Sequence, residues 1–132
     1  MLRLLKIVFL ALSCQTALAD TRILTDREIQ VTPTNAAQND VRFTYGTNDY
    51  VEVSVPVTVS ARPFRDAILE CTNLVHHFSI PIHAIQMPDL VFIYFRMDRQ
   101  LSRECRLTVT FVRDLRETDY VFSLKDFIPK DE

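Results

Sequence analysis

From Val51 to Val59 a valine recurs at every second position, alternating with Glu52, Ser54, Pro56 and Thr58. A period of two places one set of side chains on one face of a strand, so this run predicts a β-strand with a single buried face. Just upstream, Val41, Phe43 and Tyr45 alternate with Arg42 and Thr44, and Gly46-Thr47-Asn48-Asp49 separates the two runs. The pattern predicts a β-hairpin whose turn uses the chain's only glycine, where a positive φ costs nothing. Pro56 has no N–H to give to a ladder, which predicts an edge position or a bulge for the second strand. Upstream of the hairpin, Glu28 to Val31 reads as a short strand and Thr32 to Asp40 as a polar loop.

Beyond the hairpin the period changes. Phe64, Ala67, Ile68, Cys71, Leu74, Val75 and Phe78 recur at helical spacing and form one stripe about 120° wide. Pro63 suits a first helical turn and Pro81 forbids continuation beyond it, so the spacing predicts a helix over about 63–77, with Leu69 as its one apolar residue off the stripe. Leu90 to Met97 is apolar almost throughout and predicts a central strand covered on both faces. Cys105, Leu107, Val109 and Phe111 alternate with Arg106, Thr108 and Thr110 and predict another strand, and Tyr120 to Phe127 predicts a last one. Ile80 to Ile85 adds a short strand between Pro81 and Pro88. The expected fold is α+β: an antiparallel sheet of five or six strands with one amphipathic helix packed across it.

The N-terminus carries a different signal. Arg3 and Lys6 precede the apolar run Ile7 to Leu12, and Ala17-Leu18-Ala19 precedes the first acid, Asp20. This is the order of a cleavable signal peptide, residues 1–19, with cleavage between Ala19 and Asp20, and the run is too short to span a membrane. The address expected is periplasmic or extracellular. Cys14, after Ala11-Leu12-Ser13, offers a second reading in which export ends in lipidation; the small residue before the cysteine fits a lipoprotein site and Ala11 does not.

Removing the signal leaves one domain, residues 20–132, with no transmembrane span. Arg3 and Lys6 leave with it and no acid does, so the formal charge moves from −2 to −4, which argues against a nucleic-acid partner. Six arginines lie between Arg96 and Arg116, interleaved with Asp98, Glu104, Asp114 and Glu117. Local ion pairs are the plain expectation, an anion-binding patch the sharper one. Two cysteines remain, Cys71 and Cys105, and in an oxidising compartment they are expected to pair. Cys71 on the apolar stripe and Cys105 on the inner face of its strand would pin helix to sheet.

Chemistry is sparse. His76, His77 and His83 are the only candidate metal ligands among the histidines, but no two of them are spaced i, i+4, so no metal site is assigned. One glycine excludes a Gly-x-Ser-x-Gly elbow and glycine-rich phosphate loops. Cys71 would be consumed by the disulfide. Asp66 and Glu70 would share a solvated helix face, where acid–base work is conceivable and solvation is commoner. Phe92, Tyr94 and Phe95 either pack the core or line a ligand pocket between sheet and helix. A sheet left uncovered by one helix would offer a binding surface.

Cys71, then Phe78-Ser79-Ile80-Pro81, the strand ending Met97-Asp98-Arg99, and Cys105 resemble, over about residues 64–111, small exported proteins of alphaproteobacteria with no assigned activity. The resemblance implies a periplasmic address and carries no catalytic residues across. The function expected is a non-enzymatic exported domain that binds a protein or envelope component, without a cofactor. The alternatives are a small secreted enzyme with a polar site near residues 63–77, or a lipid-anchored envelope assembly factor.

Overall fold

The valine ladder and its partner form the expected hairpin. The structure, a computed structural model, describes residues 24–57, 63–72 and 77–130; the signal segment with Cys14, and His76, lie outside the described residues. Two strands, β2 (Arg42–Tyr45) and β3 (Tyr50–Pro56), pair antiparallel, and Val51, Val53 and Val55 are fully buried while Glu52 and Ser54 are half-buried on the other face. The left-handed residue of the turn is Asp49, at φ 58°, and Gly46 has no positive φ. An Asp tolerates that region better than most side chains, so the glycine is not required there. Pro56 was expected at an edge or bulge. Instead β3 is an inner strand, paired on its other side with β7 (Leu90–Arg96), and Pro56 ends it, where a missing N–H costs least.

The remaining strands are β1 (Leu24–Val31), β4 (Phe64–Thr72), β5 (His77–Pro81), β6 (Ala84–Gln86), β8 (Cys105–Arg113) and β9 (Arg116–Ser123). The α-helix α1 (Arg99–Ser102) is a single turn capped by the Asp98 side chain, which accepts from the Leu101 N–H. One sheet has the order β1-β9-β8-β4-β5 and the other β2-β3-β7-β6. The chain changes sheet between β1 and β2, β3 and β4, β5 and β6, and β7 and β8. Apart from β1, which adds parallel at the edge of β9, this is the strand order of an immunoglobulin-type sandwich. Val53, Val55 and Ile93 of one sheet and Leu69, Leu107, Val109 and Phe111 of the other close a shared core at full burial.

Two expectations therefore give way. Among the described residues, nine strands in two sheets replace one sheet of five or six. The predicted helix over 63–77 is, in its described part, β4. Along β4 the buried residues are Ala67, Leu69 and Cys71, at period two, with Ile68 and Glu70 facing out. Leu69, the residue that spoiled the helical stripe, is the centre of the true pattern. A short apolar run satisfies both periods, and here β8 on one side and β5 on the other both offer open ladders to the same backbone.

Cys71 and Cys105 stand directly opposite each other on β4 and β8 and form the disulfide, with Cα atoms 4.0 Å apart. The Thr72 N–H donates to the Glu104 carbonyl, 3.3 Å, so the cysteines occupy the adjacent position without ladder bonds, where antiparallel Cα atoms approach most closely. The pairing is as expected, but it ties two strands of one sheet and does not fasten a helix.

Candidate functional site

Strand β7 sends its side chains alternately to two different places. Val91 and Ile93 are fully buried and Phe95 packs against the core, whereas Phe92 and Tyr94 lie on the outer face of the four-stranded sheet. The pleat thus separates the three aromatics that sequence reading grouped in one pocket. It also leaves β7 covered on one face only, which a run of apolar residues does not reveal.

Around Phe92 and Tyr94 an apolar surface assembles from three strands. Tyr50 of β3 lies parallel to Tyr94, with ring planes 11° apart and centroids at 6.2 Å; Phe92 sits 5.8 Å from Tyr94, and His83 meets Tyr94 edge-on at 6.1 Å. Ile85 pairs with Phe92 across the β6–β7 ladder. Met87, Ile85 and Tyr50 are 47%, 42% and 36% exposed, which makes this the largest gathering of exposed apolar side chains among the described residues. A shallow cleft of about 320 Å³ runs between Arg42, Thr44, Glu52, Met87 and Phe92. The charged rim comes from Arg42, Glu52 and Arg96 on the same outward rows.

The outer face of the five-stranded sheet is of another kind. Arg65 bridges Asp66 at 3.1 Å and Glu117 at 3.2 Å, and Arg106 bridges Glu70 at 3.0 Å. Asp66, Thr110, Asp119 and Glu28 form one row across β4, β8, β9 and β1. Thr110 Oγ1 donates to Asp119 at 2.8 Å. Burial, with Glu117 and Glu28 adding negative charge beside it, nevertheless pushes the Asp119 carboxyl up to about 6.

The residues singled out by sequence do not converge. Asp66 and Glu70 face outward on a strand, where four residues span about 13 Å, and each is engaged by an arginine. His77 opens β5, its Nδ1 2.8 Å from Thr72 Oγ1, while His83 belongs to the aromatic face of the other sheet. Among the described residues no three His, Cys, Asp or Glu side chains gather to hold a metal ion, and no helix is long and apolar enough to cross a membrane. Three of the six arginines between Arg96 and Arg116 make contacts outside the local pairs expected. Arg106 reaches 36 positions back to Glu70, Arg103 donates to the Ile128 carbonyl at 2.9 Å, and Arg99 stacks over the Tyr45 ring at 5.1 Å. Tyr50, Ile85 and Met87 carry no binding motif in the sequence. The outward row of the hairpin, Tyr50-Glu52-Ser54, carried the only hint, since an aromatic stood where polar residues follow. No family model matches the chain, and no curated protein matches its sequence.

Proposed function

We propose that this chain is an exported β-sandwich domain that binds another protein of the cell envelope and performs no chemistry of its own. The observation that carries this reading is the outer face of the β2-β3-β7-β6 sheet. Tyr50, Phe92, Tyr94, Ile85 and Met87 stand there with Arg42 and Arg96 at the margin. Tyr, Phe, Met and Arg are the residue types enriched in protein–protein interfaces, and a gathering of exposed apolar side chains rimmed by charge is how such surfaces look on a free monomer. The periplasmic address is supported by the signal-like residues 1–19, by the resemblance to exported proteins over 64–111, and by a disulfide that persists in an oxidising compartment.

The test is a pull-down from envelope extract with the mature protein, oxidised and reduced, beside a Phe92→Ala/Tyr94→Ala variant. The wild type should retain a partner that the variant loses. Retention by both would end the role of this face. Mass spectrometry of the purified N-terminus separates the soluble form, beginning at Asp20, from a lipid-anchored one beginning at an acylated Cys14.

A further inference from the structure

The four-stranded sheet has a second open surface, at its edge. Among the described residues, strand β2 pairs with β3 on one side only and is the terminal strand of its sheet. The Gly46 N–H donates to the Tyr50 carbonyl at 2.8 Å, which fixes the ladder: Thr44 and Arg42 exchange bonds with β3, while Val41, Phe43 and Tyr45 turn their backbone groups away from it. The Val41 N–H is already taken, 2.9 Å from the Ala36 carbonyl of the preceding loop. Phe43 and Tyr45 follow along an open groove of about 590 Å³.

The lining of that groove says where it lies. Val41 to Tyr45, consecutive residues whose side chains alternate between faces, all border it, so it runs along the strand's edge and over neither face. Its far side is formed by Pro33, Ala36 and Ala37 from the loop, by Phe127, which stacks on Phe43 at 4.4 Å, and by one acid, Asp126.

We propose that the groove at the β2 edge takes an extended peptide segment of a partner protein, which adds to the sheet as a further strand. The outward N–H and C=O groups of Phe43 and Tyr45 recur at a two-residue spacing of about 6.8 Å, and an extended peptide presents its own groups at the same interval. A compact small molecule cannot meet both. Ala36 shows that this edge accepts a backbone partner. The alternate side chains of the peptide face Ala36, Phe43 and Phe127, so small apolar residues at every second position fit. This site goes beyond the aromatic face and does not depend on it.

The probes are fluorescein-labelled ten-residue peptides, in which valine or alanine alternates with serine or threonine between terminal lysines. At least one should bind saturably and slow hydrogen exchange at the Phe43 and Tyr45 amides of the intact mature protein. Ala37→Arg, at an exposed position, fills the groove and should weaken that peptide about tenfold. The melting temperature and any partner held by the aromatic face should be unchanged. Peptides with ester bonds replacing the amides that meet β2 should weaken similarly. Unprotected Phe43 and Tyr45 amides, equal binding to Ala37→Arg, or dimerisation through β2 in place of peptide capture would each overturn the proposal.

Discussion

The two outer faces of the sandwich are built on the same pleat and end in opposite chemistries. On the five-stranded sheet, outward positions carry Asp66, Glu70, Arg106, Glu117 and Asp119; Arg65 and Arg106 pair with Asp66, Glu117 and Glu70, and Asp119 accepts from the Thr110 hydroxyl. On the four-stranded sheet, the equivalent positions carry Tyr50, Phe92 and Tyr94, whose rings touch each other and leave their remaining surface to solvent. The first face finds most of its partners within itself. The second leaves apolar area that only another molecule can remove from water. A strand with one buried face says nothing about what its other face is for; the difference lies in the outward row alone.

The contrast can be broken or sharpened in several ways, and the largest effect concerns the disulfide, which belongs to the charged sheet. Cys71→Ala/Cys105→Ala should lower the unfolding free energy by about 4 kcal/mol, read from urea denaturation, because the bridge closes a loop of 34 positions. Binding through the aromatic face should survive wherever the variant is folded, since that face lies on the other sheet. Next is Tyr94→Ala, which should cost about 2 kcal/mol or more of partner affinity by calorimetry, with a smaller change in stability. Glu70→Ala on the opposite face should leave affinity unchanged.

Asp119 gives the charged face a pH signature. Its folded carboxyl, held near 6, titrates above the ordinary value of 3.8, so the folded state takes up a proton that the unfolded state does not between those values. Stability should therefore rise as pH falls from 7 towards 4.5 and be lost again as pH climbs through 6. Thermal melts of Asp119→Asn should lack that slope. A smaller gain should come from the β8–β9 turn, where Asp114 and Leu115 both hold positive φ, at 53° and 64°. Leu115→Gly should stabilise by about 1 kcal/mol in chemical denaturation, because only glycine reaches that region without a steric penalty. The smallest effect is the Arg106–Glu70 pair, with side chains 56% and 43% exposed; a double-mutant cycle should return a coupling under about 0.5 kcal/mol, falling with salt.

Much of the fold was legible because alternation leaves few options. The hairpin, the strand from Cys105, the strand from Leu90 and the cysteine pair all stand where the residues put them. The last strand sits a few residues earlier than expected, at Arg116–Ser123, and Phe127 belongs to the turn that follows it. Residues 63–72 misled because Phe64, Ala67, Ile68 and Cys71 satisfy a helical stripe, and only Leu69 registers the rival period. Which period prevails is decided by the ladders on β5 and β8, and those lie outside the segment. With the helix gone, one sheet had to become two, because each buried face then needed the other. The aromatic face was anticipated as a principle, an uncovered sheet, but its members come from β3, β6 and β7, and only pairing brings Tyr50 beside Tyr94.

The Cys71–Cys105 bridge has a mechanical consequence. β5, β6, β7 and α1 all lie inside the loop it closes, and two of those strands belong to the opposite sheet. A molecule pulled by its ends while oxidised can pay out only β1 to β4 and then β8 and β9. The 34-position loop withholds about 120 Å of extended chain. β7, with Phe92 and Tyr94 on it, sits wholly within the part that tension cannot reach.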